Sequence, residues 1–384
     1  MEQLQKMRNE MDQIDQELAK TFLRRLDLAA EIGAYKQSAG LPALDQRREL
    51  QVIRNASQLT REERRKQEVA RLFENVLALS RQEQRLNAAG GAPGEGYLRW
   101  KGAMAQVQQP VDRPRVVYQG EPGAYSEMAC LDFFGEDCQC EGLETFDDVF
   151  RAVDEGRADY AMLPIENSST GGIRQVYELL NEYDHHVVGE TTVKVEHCLM
   201  APPGASLDTI THVYSHEQGL FQSDRFLKQY PHWKQVALND TAGSGKYVGQ
   251  CGDITKAAIC SSRAAELYGL DILVRGVNHN GNNTTRFMVV SPKMELREGA
   301  NKISVVLSLH HEVGSLHEVL TLFAIHNLSL TKLESRPIPG RRWEYMFFVE
   351  FTGSPADPEV DAALLELSQV CAQLRILGSF QSNL

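Results

Sequence analysis

At 384 residues the chain is long enough for two or three domains with separate cores, and its hydrophobic share of 42% and charged share of 24% are those of ordinary globular protein. A net charge of −12 with no basic tract argues against a general nucleic-acid role. No run approaches a membrane span, the opening Met-Glu-Gln-Leu-Gln-Lys lacks a signal's apolar core, and seven scattered cysteines point to a reducing, cytoplasmic location. Along residues 2–86 a helical period runs throughout. Met7, Met11, Ile14, Leu18, Phe22, Leu26, Ala29 and Ile32 recur at three- and four-residue steps and Ala34 follows, with no proline before Pro42. This predicts a long first helix, a turn at Gly40-Leu-Pro42, a second helix over 45–58 and a third over 62–86. Arg25 and Lys36 lie about three turns, roughly 16 Å, apart on nearly one face, so both can lean onto one small ligand. Arg8 is roughly 25 Å from Arg25 along the same axis and cannot share that ligand within one straight helix. Either Arg8 is idle or a second chain brings it in.

Residues 87–96, rich in glycine and alanine, have the composition of a flexible linker, which is expected over 87–113. From residue 115 short apolar runs alternate with helical ones. Strands are expected at 115–119, 160–163, 186–200, 211–215, 257–260 and 286–290, and helices at 126–134, 147–155, 173–180, 218–229 and 263–268. Alternation of this kind argues for α/β architecture. From residue 302 the order becomes strand, helix, strand, strand, helix, strand, over 303–309, 315–325, 328–335, 343–352, 359–374 and 376–380. That is a βαββαβ ferredoxin-like, α+β module. The fold class is therefore multidomain: all-α over 1–86, α/β over 114–295 and α+β over 301–381.

Charge is uneven along this plan. Residues 1–86 carry 16 Lys+Arg against 14 Asp+Glu, leaving 24 against 38 elsewhere, so an anionic substrate has to be captured by local cations. Cys138-Gln-Cys140 has no second pair at zinc spacing and reads as free thiols. His212 and His216 fall in a strand, where a four-residue step does not form a metal site. Gly243-Ser-Gly-Lys246 fails the P-loop pattern, because Asp240 stands where its first glycine belongs and Tyr247 replaces Ser/Thr. It also misses the dinucleotide fingerprint by one residue. No metal and no cofactor are expected.

In the helical segment, Asp45, Arg48 and Glu49 open the second helix, and Ser80 and Gln84 lie one turn apart on the third. The set Met7-Arg8…Ile14-Asp15, Arg25, Gly33-Ala-Tyr-Lys36, Asp45-x-x-Arg48-Glu49 and Ser80-Arg-Gln-Glu-Gln84 resembles the all-helical chorismate mutase family. The resemblance implies three helices in an interlocked dimer. It makes Arg25 and the Arg8 of a second chain the carboxylate ligands, and sets Lys36 and Gln84 at the ether oxygen. Glu49 would hold the hydroxyl, and Asp45, Arg48 and Ser80 would complete the pocket. The chemistry suits these groups, because a dianion undergoing one pericyclic step needs a held conformer and stabilised oxygen charge, with no nucleophile.

Gly120-Glu-Pro-Gly-Ala-Tyr-Ser126 and Pro164-Ile-Glu-Asn-Ser-Ser-Thr-Gly-Gly172 each lead into a helix, whose first N–H groups suit an anion. Asn282-Asn-Thr-Thr-Arg-Phe287 sits just before a strand. Together these stretches resemble prephenate dehydratase, which implies a two-lobed domain. Thr285 then becomes the candidate proton donor, with Ser126, Glu166, Asn167, Ser168 and Thr170 shaping the pocket and Arg286 positioning it or binding carboxylate. Glu217, where the family usually has proline, and Thr241-Ala-Gly-Ser-Gly245 depart from the pattern.

Gly314-Ser315-Leu316 and Leu333-Glu-Ser-Arg-Pro337 resemble the two signatures of an ACT domain, implying an amino-acid site with Glu334, Ser335 and Arg336 beside Gly314, Ser315 and Leu316. The three modules stand in the order of the bifunctional chorismate mutase/prephenate dehydratase family. That order implies chorismate and prephenate as substrates, L-phenylalanine as feedback effector, and a homodimer or higher homo-oligomer. A reading of a different class fits the same plan, a non-catalytic aromatic amino-acid sensor, which binds without turnover and tolerates loss of Thr285.

Overall fold

The computed structural model describes residues 2–41, 45–88, 92–311, 314–338 and 340–382. The chain divides into two compact units, one of residues 1–100, 306–349 and 356–376, the other of residues 101–305, 350–355 and 377–384. In the first, α1 (Glu2–Ser38), α2 (Gln46–Ser57) and α3 (Glu63–Ala88) follow the expected helices. The α2 helix starts on Asp45, whose side chain accepts the Arg48 N–H at 3.0 Å. A Cβ on Gly33 would lie 2.9 Å from the Gln84 Cα, so glycine is what lets α1 and α3 approach so closely. Ala29, Ala56 and Leu77 are buried here, whereas Leu4, Met7, Met11, Ile14, Leu18 and Ile32 are exposed along α1. Of the expected turn, Gly40 has a left-handed φ of 66°, and Pro42 lies outside the described residues. Part of the expected linker is a helix, α4 (Glu95–Met104), because Tyr97 and Trp100 are apolar enough to bury. Residues 89–91 of that linker also lie outside the described residues.

The second unit begins with β1 (Arg115–Gln119), α5 (Tyr125–Phe134), β2 (Gln139–Leu143), α6 (Phe146–Asp154) and β3 (Tyr160–Asn167). Then come β4 (Gly171–Gly172), α7 (Arg174–Glu182), β5 (His186–Lys194) and β6 (Cys198–Ala201). They are followed by β7 (His212–His216), α8 (Glu217–Gln222), α9 (Asp224–Leu227), β8 (Lys234–Leu238) and α10 (Thr241–Cys251). Last are β9 (Lys256–Cys260), α11 (Ser262–Tyr268), β10 (Asp271–Val274) and β11 (Thr284–Ser291). One lobe is a sheet ordered β2-β1-β3-β11-β5, with β4 paired to β3, and the other a sheet ordered β10-β6-β9-β7-β8. Each has its own core, with Tyr118, Tyr160, Met162 and Phe287 in the first and Leu199, Val213, Trp233 and Ile259 in the second.

Two expectations are corrected. The strand expected over 186–200 is two strands, β5 and β6, in different sheets, because residues 195–197 carry the chain from one lobe to the other. The helix expected over 218–229 breaks at the buried Ser223 into α8 and α9. The α10 helix was not expected, being built on poor helix formers. Asp240 caps it by accepting the Gly243 N–H at 2.6 Å, and a Cβ on Gly249 would meet the Tyr268 carbonyl oxygen at 2.7 Å.

The C-terminal module runs β12 (Lys302–Ser308), α12 (Ser315–Ile325), β13 (Leu330–Pro337), β14 (Tyr345–Thr352), α13 (Pro358–Val370) and β15 (Gln373–Phe380). Its sheet is ordered β13-β14-β12-β15, the ferredoxin-like arrangement expected from the element order. The α13 helix ends short of residue 374, because Gln373 already belongs to β15.

Candidate active sites

Within the helical bundle, Arg25 donates from Nη1 to the Ser80 hydroxyl and, at 3.3 Å, to the Val76 carbonyl. Burial lowers the Arg25 pKa, and Glu49 opposes that shift. Gln84 faces the same helix pair, and its Oε1 is buried with no hydrogen-bond partner among the described residues. Lys36 is half-buried on the last turn of α1, and Arg48 reaches Gln51 at 3.4 Å. Arg8 is exposed near the start of α1, so the single chain does not bring it to Arg25. An unanticipated partner is Arg81, whose Nη1 donates to both Glu49 carboxylate oxygens at 2.7 and 2.6 Å. Glu49 and Arg81 line a cavity of about 480 Å³, together with Ile53, Leu77, Gly314 and His317. Arg81 stood inside the Ser80–Gln84 motif, but helical spacing from Ser80 gave no sign that it turns towards α2.

Between the two lobes lies a cavity of about 500 Å³, lined by Ser126, Asn167, Thr170, His197, Gln222, Asp240 and Thr285 among others. Thr285 pairs with Asn167 across β11 and β3, and Asn167 Nδ2 donates to its hydroxyl at 2.9 Å. The same amide nitrogen donates to Asn283 Oδ1 at 2.8 Å, while Asn167 Oδ1 accepts the N–H groups of Ser169 and Thr170 at 3.0 and 3.2 Å. The amide is thereby fixed, and the Thr285 oxygen is an acceptor on its Asn167 side. Its hydroxyl hydrogen is then available to a group in the cavity.

Gln222 Oε1 accepts from Asn283 Nδ2 at 3.0 Å and lies 3.0 Å from His197 Nε2, so the imidazole donates there and accepts at Nδ1. The Tyr125 hydroxyl lies 3.0 Å from Nδ1 and 2.9 Å from the Glu196 carbonyl oxygen, so its single hydrogen is shared between two acceptors. Burial pushes His197 down to about 4, partly offset by Gln222, and holds the Tyr125 hydroxyl well above its ordinary pKa. This buried network therefore stays neutral at neutral pH. No Lys or Arg lines the cavity among the described residues. The α5 helix, whose N-cap Ala124 makes no side-chain cap bond, places Tyr125 and Ser126 in the lining, and the first N–H groups of a helix suit an anion.

Three expected pocket residues stand elsewhere. Ser168 Oγ accepts the Thr284 N–H at 3.0 Å, and neither it nor Glu166 lines the cavity. The expectation that Arg286 binds a substrate carboxylate is corrected. Successive residues of β11 face opposite sides, and Arg286 is committed to Glu190 and Glu350, with Glu166 at 3.8 Å. Glu217, one of the departures, opens α8 and lines an adjoining cavity of about 750 Å³ with Glu121, Glu144 and Asp240. His197 and Gln222 had no signal in the sequence, because each sits at an element boundary that the apolar pattern blurred.

Sequence matches to three families run in order along the chain: chorismate mutase type II over residues 7–85, prephenate dehydratase over 116–295 and the ACT domain over 303–369. The bifunctional chorismate mutase/prephenate dehydratase of Escherichia coli K12 is 30% identical over 388 residues, spanning 98% of this chain and 96% of that protein. The chain belongs to the bifunctional chorismate mutase/prephenate dehydratase family. Arogenate dehydratase 1 of Petunia hybrida is 38% identical over 287 residues, 70% of this chain and 67% of that protein. A solved prephenate dehydratase from Arthrobacter aurescens, in complex with L-Phe, matches with a TM-score of 0.64 at 29% identity, over 70% of this chain and 90% of that one.

The ACT domain of this bifunctional family member divides its expected residues. Ser315 and Leu316 line an open cavity of about 670 Å³ at the start of α12, where the polar His310, His311 and Glu344 stand beside the aromatic Trp343, Tyr345 and Phe347. Gly314, at φ 90°, lines the Glu49–Arg81 cavity instead. Glu334 and Arg336 pair with each other at 3.0 Å along β13, and neither they nor Ser335 line the aromatic cavity. Among the described residues no helix is long and apolar enough to cross a membrane, and no group of three or more His, Cys, Asp or Glu is placed to hold a metal ion.

Proposed function

We propose that this chain rearranges chorismate to prephenate in its helical domain, converts prephenate to phenylpyruvate between the lobes, and is feedback-regulated by L-phenylalanine at the ACT domain. It acts as a homodimer or higher homo-oligomer in the cytoplasm. The observation that carries the reading is the fixed Asn167–Thr285 pair in the interlobe cavity, in a chain that matches a bifunctional relative over nearly its whole length. In the mutase step Arg25 and the partner subunit's Arg8 hold the two carboxylates, and Glu49, steadied by Arg81, holds the hydroxyl. Lys36 and Gln84 then meet the charge growing on the ether oxygen. In the dehydratase step the ring carboxylate leaves as carbon dioxide. Its bonding pair enters the ring as the C–O bond breaks, and the departing hydroxide takes up a proton to become water. A threonine hydroxyl is a weak acid, so Thr285 acts by hydrogen bonding to that oxygen in a sheltered site, with transfer late in the step. The L-Phe held by the Arthrobacter aurescens relative and the aromatic side chains beside Ser315 and Leu316 support phenylalanine as the effector.

The test is an assay with chorismate that follows its disappearance and the formation of phenylpyruvate, with prephenate and arogenate compared as substrates of the second step. Thr285→Ala should lower dehydration by roughly a hundredfold or more while the mutase rate stays unchanged. Equal loss of both activities contradicts separate sites. A wild-type chain that binds phenylalanine yet converts neither substrate ends the enzyme reading in favour of a sensor.

A further inference from the structure

Arg286 directly follows Thr285, and its side chain leaves the cleft for a buried ion cluster. Its Nη2 donates to both carboxylate oxygens of Glu350 at 2.6 Å, and its Nε donates to Glu190 at 2.7 Å. Lys302 Nζ donates to the other oxygen of Glu190 at 2.8 Å. The side chains of Glu190, Glu350 and Lys302 are 2%, 3% and 4% exposed, so two cations and two carboxylates neutralise one another out of water. The origins of these groups matter. Glu190 and Arg286 belong to β5 and β11 of the dehydratase sheet, whereas Lys302 and Glu350 belong to β12 and β14 of the ACT sheet.

The pairing of β11 with β3 changes register at the same place. Arg286 pairs with Glu166 and Phe287 with Pro164, so the extra residue is Ile165 on β3, while β11 stays in register with β5 from Thr284 to Val289. The bulge interrupts the ladder on the β3 side, so β11 has less backbone support there beside Thr285, and the side-chain anchor at Arg286 holds the strand in its place. The guanidinium is a directional anchor, since its Nε and Nη2 donors lie in one plane and go to two different carboxylates, Glu190 and Glu350.

We propose that Glu350 is a positioning residue for dehydration, setting the aim of Thr285 from the ACT sheet through Arg286, its neighbour on β11. The inference rests on the dehydratase reading of the cleft. Glu350→Gln keeps the volume and removes the charge. It should lower kcat for dehydration by roughly tenfold to a hundredfold, with KM and the mutase rate of the same chain within about twofold. Lys302→Met removes a charge from the same cluster one partner further from Arg286, at Glu190, and should lower dehydration kcat clearly less than Glu350→Gln does, with KM within about twofold. An unchanged kcat in Glu350→Gln overturns the proposal. Equal losses in the two variants also overturn it, by reducing the cluster to a structural role. Should Glu350→Gln fail to fold, Glu350→Asp, with its charge kept and its reach shortened, carries the same expectation and is overturned by the same result. A wild-type chain inactive on prephenate and arogenate would instead remove the dehydratase reading.

Discussion

His197 shows how much of the cleft's behaviour resides in one buried ring. In the unfolded chain an imidazole takes up a proton near pH 6.5, but in the fold burial delays this to about 4. Between those values the unfolded state binds more protons, so the group's contribution to stability is full above about pH 6.5 and is lost as pH falls towards 4. The total is roughly 3 kcal/mol. Urea midpoints measured from pH 7.5 down to 4 should fall accordingly, and His197→Gln should flatten that part of the curve. An unaltered slope in the variant would show that another group carries it. Reading the sequence singled out Thr285 and Asn167, which the fold brings together in the cleft lining, because they sit in motifs with a recognisable neighbourhood. It left Arg286 between positioning and carboxylate binding, because adjacent residues of a strand point to opposite sides and only the pairing of β11 decides which side is the cleft.

The helices of the mutase domain were legible to within a few residues, since an apolar period with a proline stop specifies a helix without reference to anything distant. The α/β region was less so. The β5 and β6 strands merged into one apolar run because hydrophobicity does not record a change of sheet, and α10 was invisible because its glycines serve packing against Tyr268. Close packing has a cost that can be measured. Gly33→Ala improves helix propensity by about 1 kcal/mol, but its methyl group meets the Gln84 backbone. The variant should lose about 1–3 kcal/mol of mutase-domain stability and much of its mutase rate, with dehydration spared. A more stable variant with full mutase activity would show that α1 and α3 can move apart freely.

For the molecule as a whole, the exposed apolar residues of α1 and the remote Arg8 are the features that bear on the proposed homodimer. Arg8→Ala and Arg25→Ala chains should each be weak mutases, and mixing them should restore one intact site in each heterodimer, because both lesions then fall in the other site. No recovery in proven heterodimers would place Arg8 outside the site. The two-lobed domain has a different kind of economy. Its chain crosses between lobes at 195–197 and returns over 275–283, and the two crossings are bonded together, Val195 N to the Asn283 carbonyl at 2.8 Å and Val277 N to the His197 carbonyl at 2.9 Å. When one lobe swings about such a spine, an atom's travel grows with its distance from it. Thr285 and Asn167, the latter bonded to Asn283 at the spine itself, travel least. A cleft that opened by such a swing would part like the covers of a book, with the page on which the chemistry is written left almost still.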